Sequence, residues 1–300
     1  MKEDDILKRA TTSITALKDQ LIDVIEVKKP SSVQYAIQLT KIVSKLSPLL
    51  GNLFEYKIID ELNKSIQDTQ GVWVRQDPGF PDARYIEEGL EANVGVEIKA
   101  WFPFATEMTG RFRDSETIFQ GNFINVAIVA WLPEFVFWGK PKIIGTLVVS
   151  GESVAEVRDN HYHNPPHYIV IEPEDTTERA SNLQQTNTAG YVFQDESTKN
   201  KEEFSNALKE VESYGKDFLT YKTDSAYQAI LKQLQGNYPY RLDTNYAKID
   251  RIQHPEIEAF KEFVENSEYK GQTVKEWKRL AGLESDNEEL VQAIKQLLIG

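Results

Sequence analysis

Three apolar runs constrain this chain more than anything else in it: VGVEIKAW at 94–101, NVAIVAWL at 125–132 and KIIGTLVVS at 142–150. The last two are almost continuously apolar, as strands are when both faces are covered, so they predict the centre of a sheet packed between helices. The first run is different. Val94, Val96 and Ile98 alternate with Gly95, Glu97 and Lys99, and successive side chains of an extended chain point to opposite faces. Glu97 and Lys99 therefore share one face, about 6.6 Å apart along the backbone, within a stretch where an unpaired charge is costly.

Shorter strands are expected at 72–75, 83–87 and 167–172. Apolar positions at helical spacing run through 4–27 (Ile6, Leu7, Ala10, Ile14, Leu17, Leu21, Val24, Ile25) and again through 33–47. Between them, Pro30 acts as a stop and Ser31 or Ser32 as an N-cap. A third helix is expected over about 52–66, after Gly51, and a short one near 114–121. From about residue 200 the pattern is helical again, over 201–213, 224–235, 256–265, 273–281 and 286–298. The expected fold class is α/β, a central mixed sheet of about five strands flanked by helices. The expected divisions are a helical N-terminal segment (1–49), a core (50–198) and a helical C-terminal region (199–300). The last two helices, joined by a short turn, faintly resemble a helix-turn-helix, and we read them as a bundle element.

Upstream of the charged strand lies GFPDARY, with Pro81 and Asp82 in an apolar setting, followed by the turn residues Glu87, Glu88 and Gly89. A hairpin through that turn brings Asp82 beside Glu97. Two carboxylates and an ammonium are what a magnesium-dependent phosphodiesterase needs. Magnesium takes oxygen ligands in near-octahedral geometry, usually one or two carboxylates with waters and a phosphate. Asp82 and Glu97, helped by the carbonyl of Ile98, are the expected ligands. Lys99 is expected to steady the attacking water or the phosphate as a compact point charge. Further upstream, GNLFEYKIIDEL places Glu55 beside Phe54, near the apolar face of a helix, where a carboxylate normally has a partner. E-I-K alone on a solvated strand would be an ordinary surface pair; the apolar surroundings argue otherwise.

The helix with Gly51, Asn52 and Glu55, then Pro81–Asp82, then Glu97–Ile98–Lys99 resembles the PD-(D/E)XK nuclease superfamily, and within it the type II restriction endonucleases in size and layout. The resemblance covers roughly residues 50 to 195. It implies a restriction-endonuclease-like core, metal binding by Asp82 and Glu97, Lys99 as the catalytic lysine and Glu55 as an auxiliary acid. Gln120 falls where related nucleases sometimes place a further polar active-site residue. The implied activity is magnesium-dependent, sequence-specific hydrolysis of double-stranded DNA by a homodimer, with no small-molecule cofactor. The helical C-terminal region would supply dimer or DNA contacts. The alternatives are a structure-specific repair or recombination nuclease of the same superfamily, or a noncatalytic DNA-binding module.

Charge weighs mildly against a DNA partner, because phosphate neutralisation dominates nucleic-acid affinity and the 300 residues carry a net charge of −13. The acidity is uneven. Residues 51–100 hold ten acids to five bases and 151–200 nine to three, whereas 1–50 hold six to eight and 101–150 four of each. A bound metal would add positive charge at the scissile phosphate. Zero cysteines exclude thiolate sites and fit a reducing cytoplasm. No apolar run reaches the length of a membrane span, and the first ten residues lack the apolar core of a signal peptide.

Several segments offer groups that bind DNA. The run 174–191 is dense in amides, hydroxyls and a guanidinium; Arg179, Asn182, Gln184, Gln185 and Asn187 are the candidate base or phosphate contacts, against the reading of a plain polar loop. Arg111 and Arg113 are candidates for phosphate contact, which sets register rather than sequence. The segment 238–254 interleaves Arg241, Asn245, Lys248 and Arg251 with tyrosines and reads better as a linker. His161, His163 and His167 have a zinc-like spacing, but with Pro165 and Pro166 between them they read better as a loop opening the strand at 167.

Overall fold

The computed structural model describes residues 3–76, 79–105, 108, 119, 121–162, 168–171, 191–194, 201–215, 224–238, 241–242, 249 and 252–299. Its main sheet has five strands: β1 (Val72–Arg75), β2 (Ala83–Ile86), β3 (Val94–Trp101), β4 (Phe123–Pro133) and β5 (Pro141–Ser150), in that spatial order. β3 and β4 run parallel, from Val94 opposite Phe123 to Trp101 opposite Ala130. The other neighbours are antiparallel, so the sheet is mixed. Of the two apolar runs, β4 lies beside the middle strand β3, whereas β5, expected at the centre, stands at the end of the sheet; Val126 to Ala130 are fully buried.

Helices α1 (Glu3–Thr15), α2 (Val33–Ile42) and α3 (Ser47–Lys64) precede the sheet, with a 3-10 turn at Val43–Leu46. Ser32 caps α2 by accepting from the Tyr35 N–H. Helix α3 begins earlier than the sequence implies, with Pro48 in its first turn, where a missing N–H costs nothing. Gly51 lies inside it. Helix α3 is fixed to the sheet by Phe54, whose ring centroid is 5.8 Å from that of Trp131; Phe102 meets the same indole at 4.9 Å.

The segment expected to continue helically to 27 does not. Helix α1 ends at Thr15, Asp19 adopts φ 69°, and the chain then runs along the outer edge of β5. Asp19 N–H donates to the Ile143 carbonyl (2.8 Å), Ile22 N–H to Pro141 (2.7 Å), and Val27 and Gly139 exchange bonds in both directions. Leu21, which helical spacing would bury, is 45% exposed, and Ile22 is buried instead. The sheet edge offers backbone partners in a row, and covering it removes a site for unwanted pairing.

The chain forms two compact units, residues 1–156 with 253–300, and residues 157–252. In the first, the opening residues of α4 (Gly151–Tyr162), as far as Glu156, follow β5, and helices α7 (Pro255–Asn266), α8 (Val274–Gly282) and α9 (Glu288–Ile299) complete the layer. Gly145 on β5 admits α7 closely: a Cβ there would lie 3.0 Å from Val264 and 3.1 Å from Phe260. Helices α8 and α9 pack against α2, and Lys41 donates to the Ala281 carbonyl at 2.7 Å. Ser153 and His254, which bracket the second unit in sequence, are hydrogen-bonded at 2.7 Å. The second unit has its own three-stranded sheet, β6 (Tyr168–Ile171), β7 (Tyr191–Gln194) and β8 (Arg241–Leu242). Its helices α5 (Lys201–Ser213) and α6 (Ser225–Asn237) bury Ala207, Val211, Tyr227 and Leu234 together. Among the described residues no helix is long and apolar enough to cross a membrane.

Candidate active site

Glu97 lies in the middle of β3 and is only 6% exposed. A carboxylate so placed needs donors, and it has two. The Asp82 backbone N–H donates to Oε2 at 3.1 Å, and the Lys99 ammonium contacts Oε1. Asp82 immediately precedes β2, whose Ala83 pairs with Val96 of β3, so the register itself delivers Asp82 next to Glu97. The exchange is reciprocal: Asp82 Oδ2 accepts from the Ile98 N–H at 2.7 Å. Lys99 Nζ stands 3.7 Å from that same Oδ2. The three side chains expected to converge do so around one point.

The approach of Asp82 depends on a missing side chain. A Cβ at Gly95 would fall 2.2 Å from Pro81 Cγ and 2.9 Å from the Ala83 carbonyl oxygen. The ring of Pro81 therefore lies against bare backbone of β3. Pro81 follows a cis peptide bond, and Phe80 meets Phe119 edge-on at 5.8 Å.

Burial pushes Glu97 up to about 7, the Asp82 charge adds to this, and Lys99 opposes both. For Lys99, burial favours loss of the proton, but the charges of Glu97 and then Asp82 outweigh it and hold the ammonium above its usual value. Two carboxylates sharing one cation leave an excess negative charge out of water, so the cluster retains a proton readily.

Glu55 follows Phe54 on α3. Its carboxylate Oε2 accepts from Arg75 Nε at 3.1 Å and Nη2 at 2.8 Å. Arg75 Nη2 also donates to Asn52 Oδ1 at 3.2 Å. Burial raises the Glu55 carboxyl, the Arg75 hydrogen bond lowers it, and the Asp82 and Lys99 charges also reach it. Arg75 was not singled out from the sequence, although a signal exists. It follows the buried Trp73 by two positions on β1, and Trp73 exchanges backbone bonds of 2.9 and 2.8 Å with the Asn63 side chain of α3. Two residues on, Arg75 shares that face.

Among the described residues no three His, Asp or Glu side chains surround one point as a ready cage. Asp82 and Glu97 form a pair that already holds a cationic group, the Lys99 ammonium. That donor set fits magnesium, which uses one or two carboxylates and keeps several waters. Ile98, expected to offer its carbonyl, contributes its amide N–H to Asp82. Arg111, Arg113, Gln120, Arg179, Asn182, Gln184, Gln185 and Asn187 lie outside the described residues, as do His163 and His167. Comparison of the chain with protein-family models, with curated proteins and with solved structures finds no match.

Proposed function

We propose that this chain is a magnesium-dependent endonuclease of the PD-(D/E)XK type, cutting double-stranded DNA at a specific sequence as a homodimer, in the manner of a type II restriction endonuclease. The observation that carries the reading is the convergence of Asp82, Glu97 and Lys99, stitched by Asp82 N–H to Glu97 and Ile98 N–H to Asp82. These backbone bonds hold both carboxylates in place before any ligand arrives, so little reorganisation is needed at the reacting centre. Asp82 and Glu97 would hold magnesium, which supplies charge stabilisation at the scissile phosphate and a water of lowered pKa. Lys99 would release its contact with Glu97 and hold the attacking water or a phosphate oxygen. Glu55 would orient outer water from the α3 side. Two-fold symmetry gives each strand of a palindromic site one such cluster.

Incubation with a panel of plasmid and phage DNA in magnesium tests this. Discrete fragments are expected, lost with EDTA and with Asp82→Ala or Lys99→Ala. Intact DNA across a panel of unmodified substrates would refute the proposal.

A further inference from the structure

The Glu55–Arg75 ion pair lies beside the candidate cluster, since Arg75 on β1 stands opposite Ala83, the residue after Asp82; the chemistry above gives Glu55 a role and Arg75 none. We propose that Arg75 is a positioning residue: its guanidinium holds the Glu55 carboxylate at the approach to the Asp82–Glu97–Lys99 cluster, so that Glu55 can order the water shell of a divalent ion bound there. The inference rests on the metal-dependent reading of that cluster.

Four observations carry it. First, the guanidinium grips one carboxylate oxygen with two N–H groups, at 3.1 and 2.8 Å, fixing direction as well as distance. Second, Asn52 lies three residues before Glu55, on the same helix face, and its side-chain oxygen accepts from the same Nη2 at 3.2 Å. Third, both supports are rigid, since Phe54 of α3 packs on Trp131 and Trp73 of β1 is tied to Asn63. Fourth, the side chains of Arg75 and Glu55 are 33% and 19% exposed. Burial raises the Glu55 carboxyl despite the guanidinium, so the cost of desolvation offsets much of the pair's attraction, and holding the fold together explains little of its geometry. Glu55 in turn feels the charges of Asp82 and Lys99. Outer groups that orient a metal site are typically worth about 10- to 100-fold in metal affinity or activity.

The test is calorimetric titration of the full chain with calcium alone, which needs no turnover. Arg75→Ala and Glu55→Gln should each weaken calcium binding by about tenfold, and the double variant should be no weaker than either single one, because the two act as a unit. Guanidinium ion at a non-denaturing concentration should restore binding to Arg75→Ala and leave Glu55→Gln unchanged. Urea unfolding of both variants should stay close to the wild type, because desolvation offsets much of the pair's attraction. Wild-type affinity in Arg75→Ala, or additive losses in the double variant, would overturn the role of Arg75 while leaving the nuclease reading intact. A wild-type chain that binds no calcium would overturn both.

Discussion

Replacing Gly95 with alanine probes the geometry on which the candidate site depends. The new methyl would sit 2.2 Å from Pro81 Cγ and 2.9 Å from the Ala83 carbonyl oxygen. Carbon atoms pack at about 3.5–4.0 Å, so Pro81 must retreat by about 1 Å or more. A proline ring offers no rotamer through which to escape, and the adjoining residue is Asp82. Its N–H bond to Glu97 (3.1 Å) and its carboxylate bond from Ile98 (2.7 Å) would both be stretched. Misplacing a reacting group by about 1 Å costs about 100-fold in rate, or about 2.7 kcal/mol of barrier. Overpacking costs about 1–3 kcal/mol in stability. The matched control is Gly51→Ala, inside α3 and one turn before Glu55, where an added Cβ meets nothing within 4 Å. That change should stabilise by about 0.5–1 kcal/mol and leave cleavage intact. Single-turnover cleavage at saturating magnesium and urea unfolding read both quantities. Wild-type cleavage and stability in Gly95→Ala would refute the argument that β3 must be bare for Asp82 to reach its place.

Two other outcomes are expected. A Glu97 carboxyl titrating at about 7 must lose its proton to bind a cation, so magnesium affinity should be about tenfold weaker at pH 6 than at pH 8, with protons released on binding. Because that value lies above the ordinary carboxylate range, the folded chain holds the extra proton between the two, and its contribution to stability is lost as pH rises through about 7. Calorimetry in buffers of different ionisation enthalpy checks the first point, and an affinity unchanged between those pH values would contradict it. Lys99→Ala leaves Asp82 and Glu97 without their shared cation. Breaking a buried pair costs up to about 3–5 kcal/mol, so the variant should melt lower than wild type at pH 8 and gain more from added magnesium. A melting temperature equal to wild type would count against a charge-paired cluster.

Much of the sheet was legible because its strands are chemically plain. VWVR and VGVEIKAW occupy the expected ranges, since alternation in one and near-continuous apolarity around the other leave little choice of period. The same alternation put Glu97 and Lys99 on one face, and the turn at 87–89 implied that Asp82 would fold back beside them. Periodicity failed at 17–27, where a few apolar residues satisfy a helical and an extended spacing equally, and the deciding factor was a distant sheet edge seeking partners. It also could not say what the C-terminal helices cover. An amphipathic stripe on Pro255–Asn266 announces a buried face, but only the small residue at Gly145, more than a hundred positions earlier, shows where that face goes. Arg75 was overlooked because charged residues ending a strand are common, and its meaning lies in the helix opposite.

The order of synthesis gives the two-ended core a further consequence. As the chain leaves the ribosome, the surface around Gly145 that Phe260 and Val264 will cover must wait for the whole of 157–252 to pass. At roughly 5–20 residues per second, that interval is on the order of ten seconds. During it, an apolar patch on β5 stands open while the residues that build the charged cluster are already made. A nascent chain of this design is most vulnerable to aggregation, and to binding by chaperones, just after the strands of its main sheet emerge.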